Sequence, residues 1–498
     1  MVIYASFVLG VGFFLYCIFD SFRQSKDIRN IGELFGVDVI IFILGMIAYY
    51  IFVKDYPSYY FWDEYSHWGL TLKETNIYHG FRLPNDPTSV INKFNGYAKL
   101  ASIFQYSINK IIGFKESLNV FANGFLYFIF CSVALVEKRL LLGIFLYLML
   151  ILFSMYDIIV SINSLHVDAT VGCIFGATIA IYLQSKKYNN ILLSLVLISP
   201  LLFILPNIKE VGYWLSYIAI FIITVDLIFN KKYSNLWVII ILLLPILSNF
   251  IWCNYVNSLC IETVCDFECT SFKQVPFASI YNLLLINSEQ VAIVKLIISY
   301  MVHYASFPEV CYIYGITAIA IIFIWQNSRE QLKNFLRVYI ILLIGFVLYI
   351  VFRIDLYLTK FISEKAKVAA CYSRYFNSYT YVFCFVTISF IKNSFDNSNL
   401  NFRSLIWFYI IAIILSVMSL KNIVHKLKDV SILSNVASDP IVRQNKIKAL
   451  IKNGIKDGSE FKENNFKLLD CYIYNYLEAP NTDNNILLKC LEDRQGIF

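Results

Sequence analysis

Charge is scarce in this chain. Asp, Glu, Lys and Arg make up 15% of its 498 residues, against 59% that are hydrophobic. A soluble protein of this length cannot hide so much apolar surface, whereas a polytopic membrane protein exposes it to lipid. The mean hydropathy of +0.64 points the same way. Histidine is rarer still, at five residues, and no two of them are spaced as a zinc-binding pair. There is no lysine-bearing phosphate loop, no dinucleotide fingerprint and no Cys-x-x-Cys unit. The net charge of +7 comes from dispersed basic residues, many in short loops, so it is no nucleic-acid signal. No internal repeat is visible. The first apolar segment has no basic flank before it and no small-residue cleavage site after it, and reads as a retained helix.

What is abundant is hydrophobic runs near the roughly 20 residues that a bilayer core requires. About twelve can be placed by this length rule: Val2–Phe19, Leu34–Phe52, Leu118–Val136, Leu141–Ile158, Ala169–Leu183, Ile191–Leu205, Val211–Phe229, Leu236–Trp252, Val310–Trp325, Phe335–Phe352, Thr380–Phe390 with its flanks, and Ser404–Leu420. The expected fold is an all-α polytopic membrane protein. Alternate loops carry Arg23, Lys26 and Arg29; Lys138 and Arg139; Lys186 and Lys187; Lys231 and Lys232; Arg329 and Lys333; Lys392 and Arg403. The positive-inside rule assigns that side to the cytoplasm. The opposite, non-cytosolic side then receives the loops 53–117, 253–309 and 353–379 of a transmembrane domain 1–421, and a helical tail 422–498.

The densest polar stretch opens the first of those loops: Phe61-Trp62-Asp63-Glu64-Tyr65-Ser66-His67-Trp68-Gly69. On a regular helix Asp63 and Glu64 point about 100° apart, so one carboxylate can work while the other positions a partner. His67, four residues after Asp63, shares its face if the segment is helical. Trp62 and Trp68 also fit the aromatic belt of a membrane edge. Other outer turns add candidates. His166 and Asp168 stand where a span begins, and a carboxylate entering an apolar helix is costly unless solvated or paired. Lys209 and Glu210 occupy the next outer turn, as an ion pair capping the helix or with Lys209 meeting a lipid-linked phosphate at headgroup level. Arg374 with Tyr375 offers a forked donor suited to phosphate oxygens. His303 is a further candidate on the same side, and equally a structural histidine.

This pattern resembles the GT-C superfamily of polytopic glycosyltransferases that use polyisoprenyl-phosphate sugars. An acidic pair in the first long outer loop, an Asp in the next outer turn, a Lys in the third and a late Arg-Tyr carry the resemblance, from roughly Tyr50 to Phe390. It departs in having two spans before the acidic loop instead of one, and no proline in Phe94-Asn95-Gly96-Tyr97-Ala98. The resemblance implies catalytic roles among Asp63, Glu64, His67 and Asp168. It implies substrate or lipid-phosphate binding among Trp62, Trp68, His166, Lys209, Glu210, His303, Arg374 and Tyr375. Asp63 would deprotonate or orient an acceptor hydroxyl of a glycan, lipid or protein, and displacement of the phosphate would invert the anomeric centre. A divalent ion, Mg2+ or Mn2+, has room between Asp63 and Asp168 as hard oxygen ligands, without being required. A transporter or flippase, and a lipid-linked glycan polymerase, ligase or phosphotransferase, remain the alternative classes.

Cysteines divide by place. Cys17, Cys131, Cys173 and Cys384 lie within spans and read as small hydrophobes. Cys253, Cys260, Cys265 and Cys269 crowd one outer loop, where an oxidising compartment would form one or two disulfides.

Overall fold

The computed structural model describes residues 37–54, 59, 63–80, 100–133, 140–155, 164–185, 191–230, 240–241, 243–258, 288–304, 308–359, 369, 372–397, 440–453 and 468–478. Among the described residues the fold is all-helical, with no strand. The helices are α1 (Val37–Val53), α2 (Gly69–Tyr78), α3 (Leu100–Ile112), α4 (Glu116–Val133), α5 (Leu140–Met155), α6 (Asp168–Ser185), α7 (Ile191–Ile208), α8 (Val211–Phe229), α9 (Leu243–Ser258), α10 (Ser288–Tyr304), α11 (Pro308–Asn327), α12 (Arg329–Thr359), α13 (Tyr372–Asn397), α14 (Pro440–Asn453) and α15 (Leu468–Glu478). A π-helical turn, Glu64–Trp68, leads directly into α2. Helices lie on the predicted spans from Leu34–Phe52 through Thr380–Phe390. Val2–Phe19 and Ser404–Leu420 fall outside the described residues.

Among the described residues, three helices are long and apolar enough to cross a membrane: Val211–Phe229, Val310–Asn327 and Arg329–Leu358. Their neighbours turn apolar side chains outward at helical spacing. On α1, Ile40, Ile43, Leu44, Ile47 and Ile51 are exposed, while Ile41 and Met46 are buried. On α12, Ile340, Leu343, Ile344 and Val347 are exposed in the same way. Polar groups go inward instead: Asn119, Asn123, Thr178 and Ser216 are buried. Apolar outside and polar inside is the arrangement that lipid favours and water does not.

Two segments read as outer loops prove to be substantially helical. Region 253–309 contains α10, which packs on α12 in an apolar cluster of Ile293, Ile297, Ile350, Ile354 and Tyr357. Region 353–379 is entered by α12, which continues to Thr359, and left by α13, which begins at Tyr372. Arg353 and Arg374 therefore sit on helices. The reason is length: α12 runs 31 residues, more than a bilayer core needs, so its last turns extend past the apolar run.

The closest helix pair is α6 with α13, and small residues make it possible. Gly172 and Gly176 lie four apart on α6. A methyl group at Gly172 would stand 2.6 Å from Tyr381 Cδ2 and 2.8 Å from the Ser378 carbonyl; at Gly176 it would stand 2.5 Å from Phe385 Cδ2. Small residues at this spacing let helix backbones approach closely. The two helices run parallel, because each four-residue step along α6 meets a later turn of α13, and so their first turns come together. That register sets Asp168, the first residue of α6, beside Arg374 in the first turn of α13. Gly176→Leu is therefore expected to separate the pair, at a cost of about 1–3 kcal/mol or more from overpacking. A fall in the thermal midpoint of the detergent-solubilised protein, with Ala at 176 milder than Leu, is the result to look for.

Candidate functional site

Five helix ends and one short turn converge at one end of the bundle. Asp63 directly precedes the π-helical turn, in which the Gly69 N–H reaches back to the Glu64 carbonyl. A π-turn is an unusual backbone, common at functional sites, and Gly69 permits it here. Any Cβ at 69 would run into the Tyr59 ring and the Glu64 carbonyl. The wider turn sends the two neighbouring carboxylates to different places. Glu64 is fully buried, and its Oε1 accepts the Leu165 N–H at 2.8 Å. Asp63 is partly open, with its side chain 19% exposed, and faces the other groups of the site.

Asp63 Oδ2 accepts from His166 Nε2 at 2.9 Å and from Arg374 Nη1 at 2.7 Å. Asp168 Oδ1 accepts from Lys209 Nζ at 2.7 Å, and its Oδ2 lies 3.3 Å from Arg374 Nε. Arg374 thus bridges the two carboxylates. The loop before α6 is held by Asn123 of α4, whose Nδ2 donates to the Ser164 and His166 carbonyls at 2.8 and 2.9 Å. Ser164 Oγ lies 2.8 Å from His166 Nδ1. With the imidazole fixed from both sides, its Nε2 stays aimed at Asp63. Lys209 stands in the tight turn between α7 and α8, closed by the Gly212 N–H on the Lys209 carbonyl. The α7 segment before it carries Pro200 and Pro206.

Tyr375 is the hub of the cations. Its ring has Arg353 Cζ 3.7 Å from its centroid, Lys209 Nζ at 5.0 Å and Arg374 Cζ at 5.3 Å. Tyr349 donates its hydroxyl to the Tyr375 carbonyl at 2.7 Å, which fixes the ring's position along α13. Three cationic side chains around one π-face are individually attracted to it and mutually repelled. Only nearby negative charge makes such a group stable, and Asp63 and Asp168 supply it.

The sequence candidates therefore separate. Asp63, His166, Asp168, Lys209, Arg374 and Tyr375 are brought together. His67 lies within electrostatic reach of Asp63 and packs its ring on Trp68, with centroids 4.7 Å apart. Glu64 stands behind the site, on the Leu165 backbone. Glu210 caps the start of α8 without a side-chain cap bond. His303 is exposed near the end of α10, on the helix whose Tyr300 stacks against Tyr372. Trp62 falls outside the described residues. Lys209 and Arg374, read from the sequence as phosphate binders, are each already bonded to a carboxylate. The gap between Asp63 and Asp168 is spanned by the Arg374 guanidinium, so these residues do not fit a divalent ion there. No group of three His, Cys, Asp or Glu side chains positioned for a metal occurs among the described residues.

Arg353, Asn123, Ser164 and Tyr349 escaped the sequence reading. Arg353 carried a signal: a cation at the end of a long apolar run is expensive in lipid. Asn123 is one of many asparagines, and nothing local marks it.

The C-terminal tail packs against the back of this turn. Tyr476 of α15 donates its hydroxyl to Glu116 Oε1 at 2.8 Å, and its ring lies 5.5 Å from those of Tyr59 and Tyr65. Gln444 of α14 donates to the Tyr65 hydroxyl at 3.0 Å, and Lys73 of α2 donates to the Leu477 carbonyl at 2.8 Å. Arg443 grips both Asp470 oxygens, at 3.0 and 3.1 Å, tying α14 to α15. Cys471 is disulfide-bonded. Cys253 Sγ is directed at Asn249 Oδ1. Cys260, Cys265 and Cys269 lie outside the described residues.

Burial alone would raise the Asp63 carboxyl, but the His166 hydrogen bond and the Arg374 charge outweigh it and hold it well below the usual carboxylate range. Burial pushes the His67 imidazole down to about 3, against the pull of Asp63. Burial also lowers His166, opposed by its bond to Asp63. Both imidazoles are neutral in the folded protein at pH 7. An unfolded histidine protonates near pH 6.5, so below that pH the unfolded state binds more protons and stability falls as pH falls. Asp63, also depressed, acts in the same sense but only in strong acid, where stability is lost as pH falls below its unfolded value near 3.9. Thermal unfolding should thus show a lower midpoint at pH 5.0 than at pH 7.5, with about 1–2 kcal/mol of the loss from His67, and His67→Gln should remove that part.

The chain matches no protein-family model, no curated protein and no solved structure.

Proposed function

We propose that this chain is an integral membrane glycosyltransferase. In this reading it moves a sugar from a polyisoprenyl-phosphate donor to a hydroxyl acceptor at the non-cytosolic face, with inversion. One observation carries the proposal: a partly open carboxylate, Asp63, is held anionic at one end of an apolar helical bundle, beside a cluster of Arg374, Lys209 and Arg353. A transport site is expected near the middle of the bundle instead. The disulfide at Cys471, in a tail packed against the Asp63 turn, fits an oxidising compartment on that side.

The chemistry follows from the charges. With its carboxyl held so low, Asp63 is a weak base, and its role is to accept the acceptor's O–H as a hydrogen bond and aim the oxygen at the anomeric carbon. Proton transfer then follows bond formation. The donor phosphate departs as an anion, so no general acid is required, and the neutral His67 and His166 need not supply one. Positive charge at Arg374, Lys209 and Arg353 stabilises the negative charge that grows on the leaving group. His166 keeps Asp63 oriented, and Asp168 keeps Lys209 and Arg374 in place.

The test is transfer of radiolabelled sugar from a polyisoprenyl-phosphate donor to an acceptor by the purified protein in proteoliposomes. Label appearing on an acceptor in wild type and not in Asp63→Asn supports the reading. Movement of intact cargo across the vesicle without transfer would establish a transporter. Single cysteines placed beside Asp63 and Asp168 should react with an impermeant reagent from one side, the non-cytosolic one.

A further inference from the structure

Arg353 is the one cation of the cluster whose charge no carboxylate answers directly. Its residue is 2% exposed, and Nε and Nη2 are buried without any hydrogen-bond partner. Lys209 and Arg374, by contrast, are bonded to Asp168 and Asp63. Asp355, two residues further along α12, points about 200° away around the helix and does not face it. The walls around the guanidinium are Tyr349, Tyr357 and the face of Tyr375, aromatic surface that holds the cation by its π-cloud. Such contacts are worth about 2 kcal/mol when desolvated. A buried guanidinium costs several kcal/mol to remove from water. The aromatic cage therefore does not offset the burial, and unsatisfied N–H donors add to the cost.

We infer that Arg353 is the anion-binding group of this site, and that its ligand is the oxyanion of a phosphate ester. The planar fork offers parallel N–H donors, the geometry that phosphate oxygens accept. Its position favours a lipid-borne ester. Tyr375 joins Arg353 to the Asp63 and Asp168 cluster on one side. On the other, the flanking residues Ile350, Ile354 and Tyr357 are buried in the separate apolar cluster with α10, which makes that side hydrocarbon. A phosphate on Arg353 thus has polar groups toward the acceptor and hydrocarbon toward its tail. The inference deepens the proposed function by naming where the donor's phosphate is held. It relies on that function only for the phosphate's source.

Ligand binding and stability read it out separately. The full-length protein in nanodiscs would be titrated with a long-chain polyisoprenyl monophosphate, and in a second arm with inorganic phosphate. R353Q and R353M are expected to weaken binding of the lipid phosphate by about 30- to 5,000-fold, the range for removing one partner of a buried charge pair. R353K, which keeps the charge and loses the fork, should fall in between. Binding of inorganic phosphate that is also lost in R353Q would place the recognition in the oxyanion itself. Binding of the lipid form alone would assign it to a headgroup seated from the bilayer. Either supports the inference. Without ligand, R353M should melt at the same temperature as wild type or higher, because an uncompensated buried charge has been removed. Loss of folding or a lower ligand-free midpoint in R353M would make Arg353 a structural keystone and overturn the inference, as would wild-type binding by R353Q. Phosphate binding that depends on Arg353 in a protein with no sugar transfer would keep this inference and end the glycosyltransferase reading. Transfer that survives R353Q with unchanged donor affinity would do the reverse.

Discussion

Asp63→Asn is expected to leave the protein assembled and to cut turnover by about 10²- to 10⁴-fold, the loss typical of one positioned general base or proton acceptor. Asn keeps the size and one carbonyl oxygen, so the His166 Nε2 bond can persist. In the proposed mechanism, what disappears is the negative charge that accepts a hydrogen bond from the acceptor's O–H and that neutralises Arg374. The Glu64→Gln variant is the internal control. Glu64 Oε1 accepts the Leu165 N–H, and a glutamine oxygen can do the same. Its turnover should fall far less than that of Asp63→Asn, while Glu64→Ala should instead lower the thermal midpoint by leaving a buried N–H unpaired. Full transfer activity in Asp63→Asn, measured with labelled donor, would remove Asp63 from the chemistry.

Lys209→Met is expected to destabilise the protein by about 3–5 kcal/mol, because it strands Asp168 as a buried charge with only the 3.3 Å contact to Arg374 left. Both partners are nearly inaccessible, with side chains 9% and 2% exposed, so solvent cannot take over the lost bond. Asp168→Asn combined with Lys209→Met should recover part of that stability, since removing both charges of a buried pair costs much less than removing one. Thermal midpoints of the four proteins give the coupling directly. Additive effects would mean that the two side chains do not interact, against the 2.7 Å separation. The double variant should stay inactive even where it regains stability, because Arg374 then lacks the carboxylate that orients its Nε.

Several parts of the site were legible in the residues alone. The segment Trp62–Trp68 stands out for its density of polar and aromatic groups in an apolar chain. Asp168 stands out because a carboxylate opening an apolar helix needs a partner. The partners themselves were not legible. Lys209 and Arg374 looked like free cations for a phosphate, since one sequence does not tell which cation meets which carboxylate across 41 or 311 residues. Arg353 was read as the first residue of a loop, because the apolar run ends beside it. The helix continues past that point, and its burial comes from α13 and the tyrosines, not from its own neighbours in sequence.

Composition and the lengths of its hydrophobic runs determined that this chain forms an apolar helical bundle, since lipid leaves a backbone no other way to satisfy its hydrogen bonds. They also marked Asp63 and Asp168 as costly residues needing a reason. Tertiary structure alone decided the rest. The close approach of α6 and α13 at Gly172 and Gly176 set Arg374 between the two carboxylates, and the π-turn sent Glu64 into the interior and Asp63 toward the cations. Those outcomes depend on contacts between distant segments, and Coulomb energy depends on distance in space, which one sequence does not contain.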